Sequence, residues 1–280
     1  MLKFKEEDFI KEVYTTHIFR NNKSPSVMGI IEETSDSFNK IHTKSSSIII
    51  EFVKGKTLRE KINSLDKNSL KDEIKLMIYV IDLAKALEFL HYRGLIHRDI
   101  KPENIIITDE NEVRLIDFGI AKECNKTSAF TTCEKGSVFY EPPENTVSNI
   151  YDDIFEEDDL SKTDYGTKRR ISKAYDLWSF GLIVSEIFGG ETPWGEELKK
   201  KPNKIIVNLM NKVEFPIPVS IKNEKIRNVI KYCTEIFPKY RIEIKEVINL
   251  LNKIFIERIR QSCQTVDITQ LFQKKESIYN

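Results

Sequence analysis

Glycine is scarce in this chain, at 10 of 280 residues, about half the usual share of ~7%. All ten lie at or after Gly29, so the first 28 residues contain none. Cysteine is scarce too. Cys124, Cys133, Cys233 and Cys263 form no C-x-x-C pair, which argues against both a zinc site and a disulfide framework. A reduced, intracellular, cytoplasmic protein is expected. Neither sign of charge is in excess, with Lys+Arg 44 against Asp+Glu 44. No electrostatic case for nucleic acid as a partner follows. There is no run of ~18 apolar residues, so no membrane span is expected. The opening Met-Leu-Lys-Phe-Lys-Glu-Glu-Asp turns acidic where a signal peptide needs an apolar stretch.

What the chain does have is 40% hydrophobic residues, enough to bury a sizeable core in one large domain or two lobes. Residues 6–20 read as an amphipathic helix, with Glu6, Glu7 and Asp8 at its start. Val27 to Glu32 reads as a strand, and the β-branched run Ile48 to Val53 as a buried one. Leu70, Ile74, Met77, Ile78, Ile81, Ala84 and Leu87 share a helical face that stops near Gly94. The short runs Ile105–Ile107 and Val113–Ile116 flank the turn-like Asp109-Glu110-Asn111. Leu177 to Phe188 reads as a buried helix, and residues 224–236 and 242–258 as two more around Pro238. The acidic stretch from Tyr151 to Asp159, followed by Lys168, Arg169 and Arg170, marks an insertion over about 148–170. It is either a solvated loop or a docking loop for a regulatory partner.

The stretch with the most chemistry is His97-Arg98-Asp99-Ile100-Lys101-Pro102-Glu103-Asn104, followed thirteen residues later by Asp117-Phe118-Gly119. This arrangement resembles the catalytic loop and metal-binding loop of eukaryotic-type protein kinases. Gly136-Ser137-Val138-Phe139-Tyr140-Glu141-Pro142-Pro143-Glu144 resembles their peptide-docking segment, and Asp176-Leu177-Trp178-Ser179-Phe180-Gly181 the start of a large-lobe helix. Arg241 matches the arginine that pairs with the docking-segment glutamate, here Glu144.

The resemblance implies transfer of the ATP γ-phosphoryl group to Ser or Thr hydroxyls of a protein substrate, with Mg²⁺. Phosphoryl transfer needs a carboxylate near the hydroxyl, divalent metal on the phosphates and a cation for the moving charge. Asp99 is then the base, Lys101 the transition-state cation, and Asn104 and Asp117 the metal ligands. The Glu51 carbonyl and Val53 amide would bond the adenine edge, with Ile106 beneath the ring. Asp176 would anchor the catalytic-loop backbone. His97 reads as packed structure rather than as a base. An activation loop over about 120–135 offers Thr131 or Thr132 for regulatory phosphorylation.

One family feature is missing. The glycine-rich loop that covers the phosphates would lie upstream of the first ion-pair glutamate, and no glycine precedes Gly29. Glu12 is expected as that glutamate, or as an ordinary solvated one. Lys3 is the candidate for its lysine partner, or is a plain exposed lysine. The expected fold is α+β, two-lobed and protein-kinase-like, with a reduced N-lobe and a mainly helical C-lobe. Residues 1–260 form the domain, with 1–53 as partial N-lobe and hinge, 54–260 as C-lobe and 261–280 as a tail. The rival expectation is a pseudokinase or kinase fragment acting as a non-catalytic interaction module.

Overall fold

The structure, a computed structural model, describes residues 30–33, 48–50, 52–65, 69–118, 121–123, 139–146, 172–190 and 215–263. Strands β1 (Ile30–Glu33) and β2 (Ile48–Ile50) pair antiparallel. The expected strand from Ile48 does not reach Val53, since Phe52 and Val53 lie outside it, and the expected start of the other strand, Val27 to Gly29, lies outside the described residues. The chain then runs through Val53 into β3 (Gly55–Thr57), which pairs antiparallel with β5 (Ile105–Thr108). β3 demands glycine. A Cβ on Gly55 would lie 2.3 Å from the Ile107 carbonyl oxygen and 2.8 Å from a methyl of Ile106.

Helix α1 (Leu58–Ser64) follows at once and is capped by Thr57. Its hydroxyl accepts from the Glu60 amide at 3.2 Å, and the Glu60 carboxylate accepts from the Thr57 amide at 2.8 Å. This reciprocal capping box satisfies two otherwise orphaned donors. Leu58 and Ile62 turn its other face into the core.

Helix α2 (Leu70–Tyr92) is the long central helix. Met77, Ile81, Ala84 and Leu87 are buried as their spacing predicts, while Ile74 and Ile78 are only half-buried. Leu76, Val80, Leu83 and Leu90 are buried as well. The buried front is wider than one stripe because α2 is covered by several later elements: the strand Val113–Leu115 and the helices Ala174–Gly189 and Ile244–Cys263. The helix stops at Gly94, whose φ of 73° is open to glycine at little cost.

Two-residue β4 (Leu95–Ile96) leads into the loop beginning at His97 and pairs with β7 (Lys122–Glu123). A single 3-10 turn, Pro102–Asn104, hands the chain to β5, and β5 forms a hairpin with β6 (Val113–Leu115). Asn111 makes the turn at φ 65°, the αL region that asparagine tolerates, and its side chain accepts from the Tyr79 hydroxyl at 3.0 Å.

The short α3 (Pro143–Thr146) precedes α4 (Ala174–Gly189). Every residue of α4 from Tyr175 to Ile187 is buried, as expected of a mostly apolar helix, and the buried run includes the polar Asp176, Ser179, Ser185 and Glu186. It ends at Gly190, φ 89°. α5 (Glu224–Cys233) is shorter than the sequence spacing suggests, because Thr234 folds its hydroxyl back onto the Ile230 carbonyl at 2.8 Å. α6 (Ile244–Cys263) runs five residues beyond the expected 258 and packs along α2. Arg258 on α6 pairs with Glu73 on α2. Short antiparallel strands interleave with a mostly helical body, an α+β fold. Among the described residues no helix is long and apolar enough to cross a membrane.

Candidate active site

The loop after β4 is held from below by one buried carboxylate. Asp176, on the first turn of α4, is fully buried. One of its oxygens accepts from the Arg98 amide at 2.9 Å; the other accepts from the His97 amide at 3.0 Å and lies 2.9 Å from His91 Nε2. Burial by itself drives this carboxyl upward. The His91 hydrogen bond, the neighbouring imidazoles and the Arg98 amide outweigh it, so Asp176 lies below its ordinary value. To aim successive amides at one carboxylate, Arg98 takes φ 72°. For a non-glycine residue that conformation costs ~1–2 kcal/mol, and the charge-assisted bonds to Asp176 offset it. The anchoring role expected of Asp176 is thus met, and His91, which the sequence reading passed over, shares it.

His97 is fully buried, and burial holds its imidazole below the ordinary value against the pull of Asp176 and Asp99. Its Nδ1 accepts from the Asp99 amide at 3.3 Å, so the proton sits on Nε2 and is donated to the Ile116 carbonyl at 3.1 Å. Its ring stacks edge-on against Phe118, centroids 4.9 Å apart. As expected, His97 is packed structure. It ties the Asp99 loop to the segment entering Asp117.

Three of the expected site residues come together on that loop. Asp99 Oδ2 accepts from Lys101 Nζ at 2.6 Å and from Asn104 Nδ2 at 2.8 Å. Asn104 Nδ2 also donates to the Asp99 carbonyl at 2.9 Å. Both neighbours of this amide nitrogen are acceptors, which fixes the amide orientation and turns Oδ1 the other way. The Asn104 carbonyl accepts from the Ile116 amide at 3.0 Å, joining the loop to β6 just before Asp117. Asp117 has φ 64° and is exposed, while Phe118 next to it is fully buried. The left-handed residue lets the chain turn a carboxylate out and a ring in at consecutive positions. The side chains of Asp99 and Lys101 are 10% and 20% exposed. This is a site shielded enough to strengthen charge interactions yet open to a substrate.

Ile106 is half-buried on β5, opposite Thr57 on one side and Arg114 on the other. Val53 is half-buried just before β3. Glu51, Lys3 and Glu12 lie outside the described residues, as do Gly119, Ser137, Thr131, Thr132 and the 148–170 insertion.

Behind the loop, Ser179 donates to the Tyr140 carbonyl at 2.7 Å. Arg241 grips Glu144 with two bonds of 2.6 Å each. Its other N–H groups reach the carbonyls of Glu235, Ala174 and Ile236 at 2.7, 3.0 and 3.1 Å. The expected Glu144–Arg241 pair is therefore present. A further cluster escaped the sequence reading: Arg59 of α1 meets Glu103, Tyr140 and Glu186.

An α+β fold whose helical part carries this anchored loop defines a kinase-like protein. The chain belongs to the protein kinase family: the family model for the protein kinase domain matches residues 3–251. A probable serine/threonine-protein kinase of Clostridium perfringens is 33% identical over 241 residues, covering 84% of this chain and 30% of the relative. One of Clostridium acetobutylicum is 29% identical over 213 residues, covering 74% and 28%. An Aurora kinase of Debaryomyces hansenii is 32% identical over 174 residues, covering 61% and 36%. The chain spans about a third of the length of these relatives.

Proposed function

We propose that this chain transfers the γ-phosphoryl group of ATP to serine or threonine hydroxyls of proteins, with Mg²⁺. The observation that carries the reading is the convergence of Lys101 and Asn104 on the Asp99 carboxylate, in a loop fixed to the core through Asp176. The names of the relatives support a Ser/Thr acceptor.

Asp99 orients the acceptor hydroxyl and takes its proton as the oxygen attacks phosphorus and the bond to the ADP oxygen breaks. Lys101, beside Asp99, holds positive charge where the phosphoryl group passes. Asn104 Oδ1 and the Asp117 carboxylate offer one neutral and one anionic oxygen. Such a donor set suits Mg²⁺, which takes few protein ligands and fills its shell with phosphate oxygens and water. When bound, the cation neutralises charge on the phosphate oxygens. Ile106 supplies an apolar floor for adenine, and the Val53 amide with the Glu51 carbonyl its polar edge. Lys3 and Glu12 are proposed as the phosphate-side ion pair. The 148–170 insertion is proposed as the place for a regulatory partner, and the protein as cytoplasmic.

The test is ³²P transfer from Mg·ATP to a protein substrate by the purified chain and by Asp99→Asn and Asp117→Asn. The expected loss in kcat for Asp99→Asn is roughly 10²- to 10⁴-fold, the range for a positioned general base. Wild-type protein transferring no more phosphate than the two variants would refute the enzyme reading and leave the interaction-module alternative.

A further inference from the structure

Helix α6 buries only part of its circumference. Val247, Leu251 and Ile254 turn into the core. Arg258 pairs with Glu73 of α2, and Glu257 with Lys225 of α5. Those contacts leave one face to solvent. At about 3.6 residues per turn, Lys245, Asn249, Asn252, Lys253, Ile256 and Arg260 fall within about 100° of arc, and all six are exposed. The stripe carries three cations, two amides and no carboxylate. Glu246 and Glu257 border it on one side, and Glu257 is already bonded to Lys225. Among the described residues no ion pair uses Lys245, Lys253 or Arg260. Ile256, between the cations, is 49% exposed.

One stretch of this chain has the opposite character. Tyr151 to Asp159 holds Asp152, Asp153, Glu156, Glu157, Asp158 and Asp159 and no basic residue, with Ile154 and Phe155 between the acids. The stretch lies outside the described residues, but the chain on either side of it does not. Arg241 donates to Glu144, before it in the sequence, at 2.6 Å and to the Ala174 carbonyl, after it, at 3.0 Å. Both flanks are thus tied to one side chain, just ahead of Ile244, where α6 begins. From Lys245 to Arg260 the stripe runs about 22 Å at about 1.5 Å per residue. The acidic stretch starts within about 17 Å of Thr146 and spans up to about 30 Å when extended. Its tether brings it to the Lys245 end of the stripe, and it is long enough to follow the stripe to Arg260.

We propose that the exposed stripe of α6 is the docking surface for the acidic stretch Tyr151–Asp159 of the same chain. Its carboxylates lie against Lys245, Lys253 and Arg260, and the Ile154-Phe155 pair covers Ile256. A single exposed ion pair is weak. Several on one tether act together, because the first contact raises the effective concentration for the next. A second copy offering the same acids would lose the freedom of a separate molecule, so the stretch tied at Arg241 is favoured over it. The proposal does not depend on phosphoryl transfer, and either reading can fail without the other.

The experiment uses the full chain. A water-soluble carbodiimide joins carboxylates to lysine amines in contact, and peptide mass spectrometry reads the pairs. Wild type is expected to give links from the acids of Asp152 to Asp159 to Lys245 or Lys253 within one molecule. A mixture of unlabelled and ¹⁵N-labelled chains separates these from links between copies. Links from the stretch only to other lysines, only between copies, or none at all would overturn the proposal. A second readout is cleavage after Glu156 and Glu157 by a glutamate-specific protease, each rate divided by that of the synthetic peptide of the same sequence. Lys245→Glu/Lys253→Glu/Arg260→Glu should be cut there about tenfold faster than wild type, the scale of three exposed ion pairs acting together. Adding Asp152→Lys/Asp153→Lys/Asp159→Lys should restore the slow rate. About 1 M NaCl, where the Debye length is about 3 Å, should erase the difference. Equal relative rates in wild type and the triple variant would refute the docking. The cross-linking arm needs no variant and decides the matter if the triple variant does not fold.

Discussion

Arg241 offers the sharpest quantitative test of how the helical body is held. Its side chain is fully buried, and Glu144's is 21% exposed. The guanidinium has five N–H donors, and five acceptor contacts surround it: two oxygens of Glu144 and the carbonyls of Glu235, Ala174 and Ile236. It also lies 5.1 Å over the Trp178 ring, a cation–π contact of about 0.5–2 kcal/mol. Arg241→Ala leaves Glu144 without its counter-charge and strands three carbonyls, and breaking a buried pair this way costs about 3–5 kcal/mol. Arg241→Lys keeps the charge but has only three donors on one nitrogen, so at least two of the five contacts are lost. At about 1.5–3 kcal/mol per charged hydrogen bond, a loss near 3 kcal/mol is expected. Against a typical total stability of about 5–15 kcal/mol, either change is large. Urea unfolding of wild type, Arg241→Ala, Arg241→Lys, Glu144→Gln and Arg241→Ala/Glu144→Gln measures it. The double variant should be no less stable than Arg241→Ala, because the second change removes the stranded charge. An Arg241→Lys within about 0.5 kcal/mol of wild type, the usual range for an uninvolved surface site, would refute this reasoning. So would additive single-site losses.

Stability should also fall on mild acidification through His97. Its imidazole titrates near 6.5 when unfolded and lower when folded, burial being the cause. In the window between, the unfolded chain binds more protons, so the contribution is full above 6.5 and lost as pH drops through the folded value. The slope is at most about 1.4 kcal/mol per pH unit. Subtracting the unfolding curves of His97→Phe from wild type at pH 5 to 8 should isolate it; a flat difference would contradict the assignment. Gly55→Ala should destabilise the β3–β5 pairing by about 1–3 kcal/mol, because the new methyl meets a backbone carbonyl at 2.3 Å. Thermal unfolding checks this, and a variant as stable as wild type would mean the strands separate at little cost.

The loop from His97 to Asn104, the β5–β6 hairpin and the buried α4 were legible because each is a local pattern. Residue types at fixed spacing carried the loop, two apolar runs around a turn carried the hairpin, and a mostly apolar stretch carried the helix. α1 went unread although Thr57-x-x-Glu60 spells a capping box, because only Leu58 and Ile62 give it an apolar face. β3 is Gly-Lys-Thr, with no alternation to detect, and is a strand only because β5 lies beside it. β4 and β7 are two residues each and exist by pairing alone. The Arg59 cluster was out of reach for a different reason. Its partners lie 44, 81 and 127 residues away along the chain, and nothing local marks them as neighbours. The same holds for His91, whose partner Asp176 is 85 residues on. The Glu144–Arg241 pair was foreseen across 97 residues only through family resemblance.

Asp176 gives the Asp99 loop a fixed frame of reference. The amides of His97 and Arg98 hang from a carboxylate that is itself part of the innermost helix, and His97 passes that registration on to Ile116, one residue before Asp117. The spacing between Asp99, Asn104 and Asp117 is therefore set by the same layer of packing that decides whether the helical body is folded at all. Heat should erase the proposed phosphoryl transfer and the helical fold in a single cooperative step, and a variant that loosens the α4 helix should lose turnover before it loses affinity for ATP.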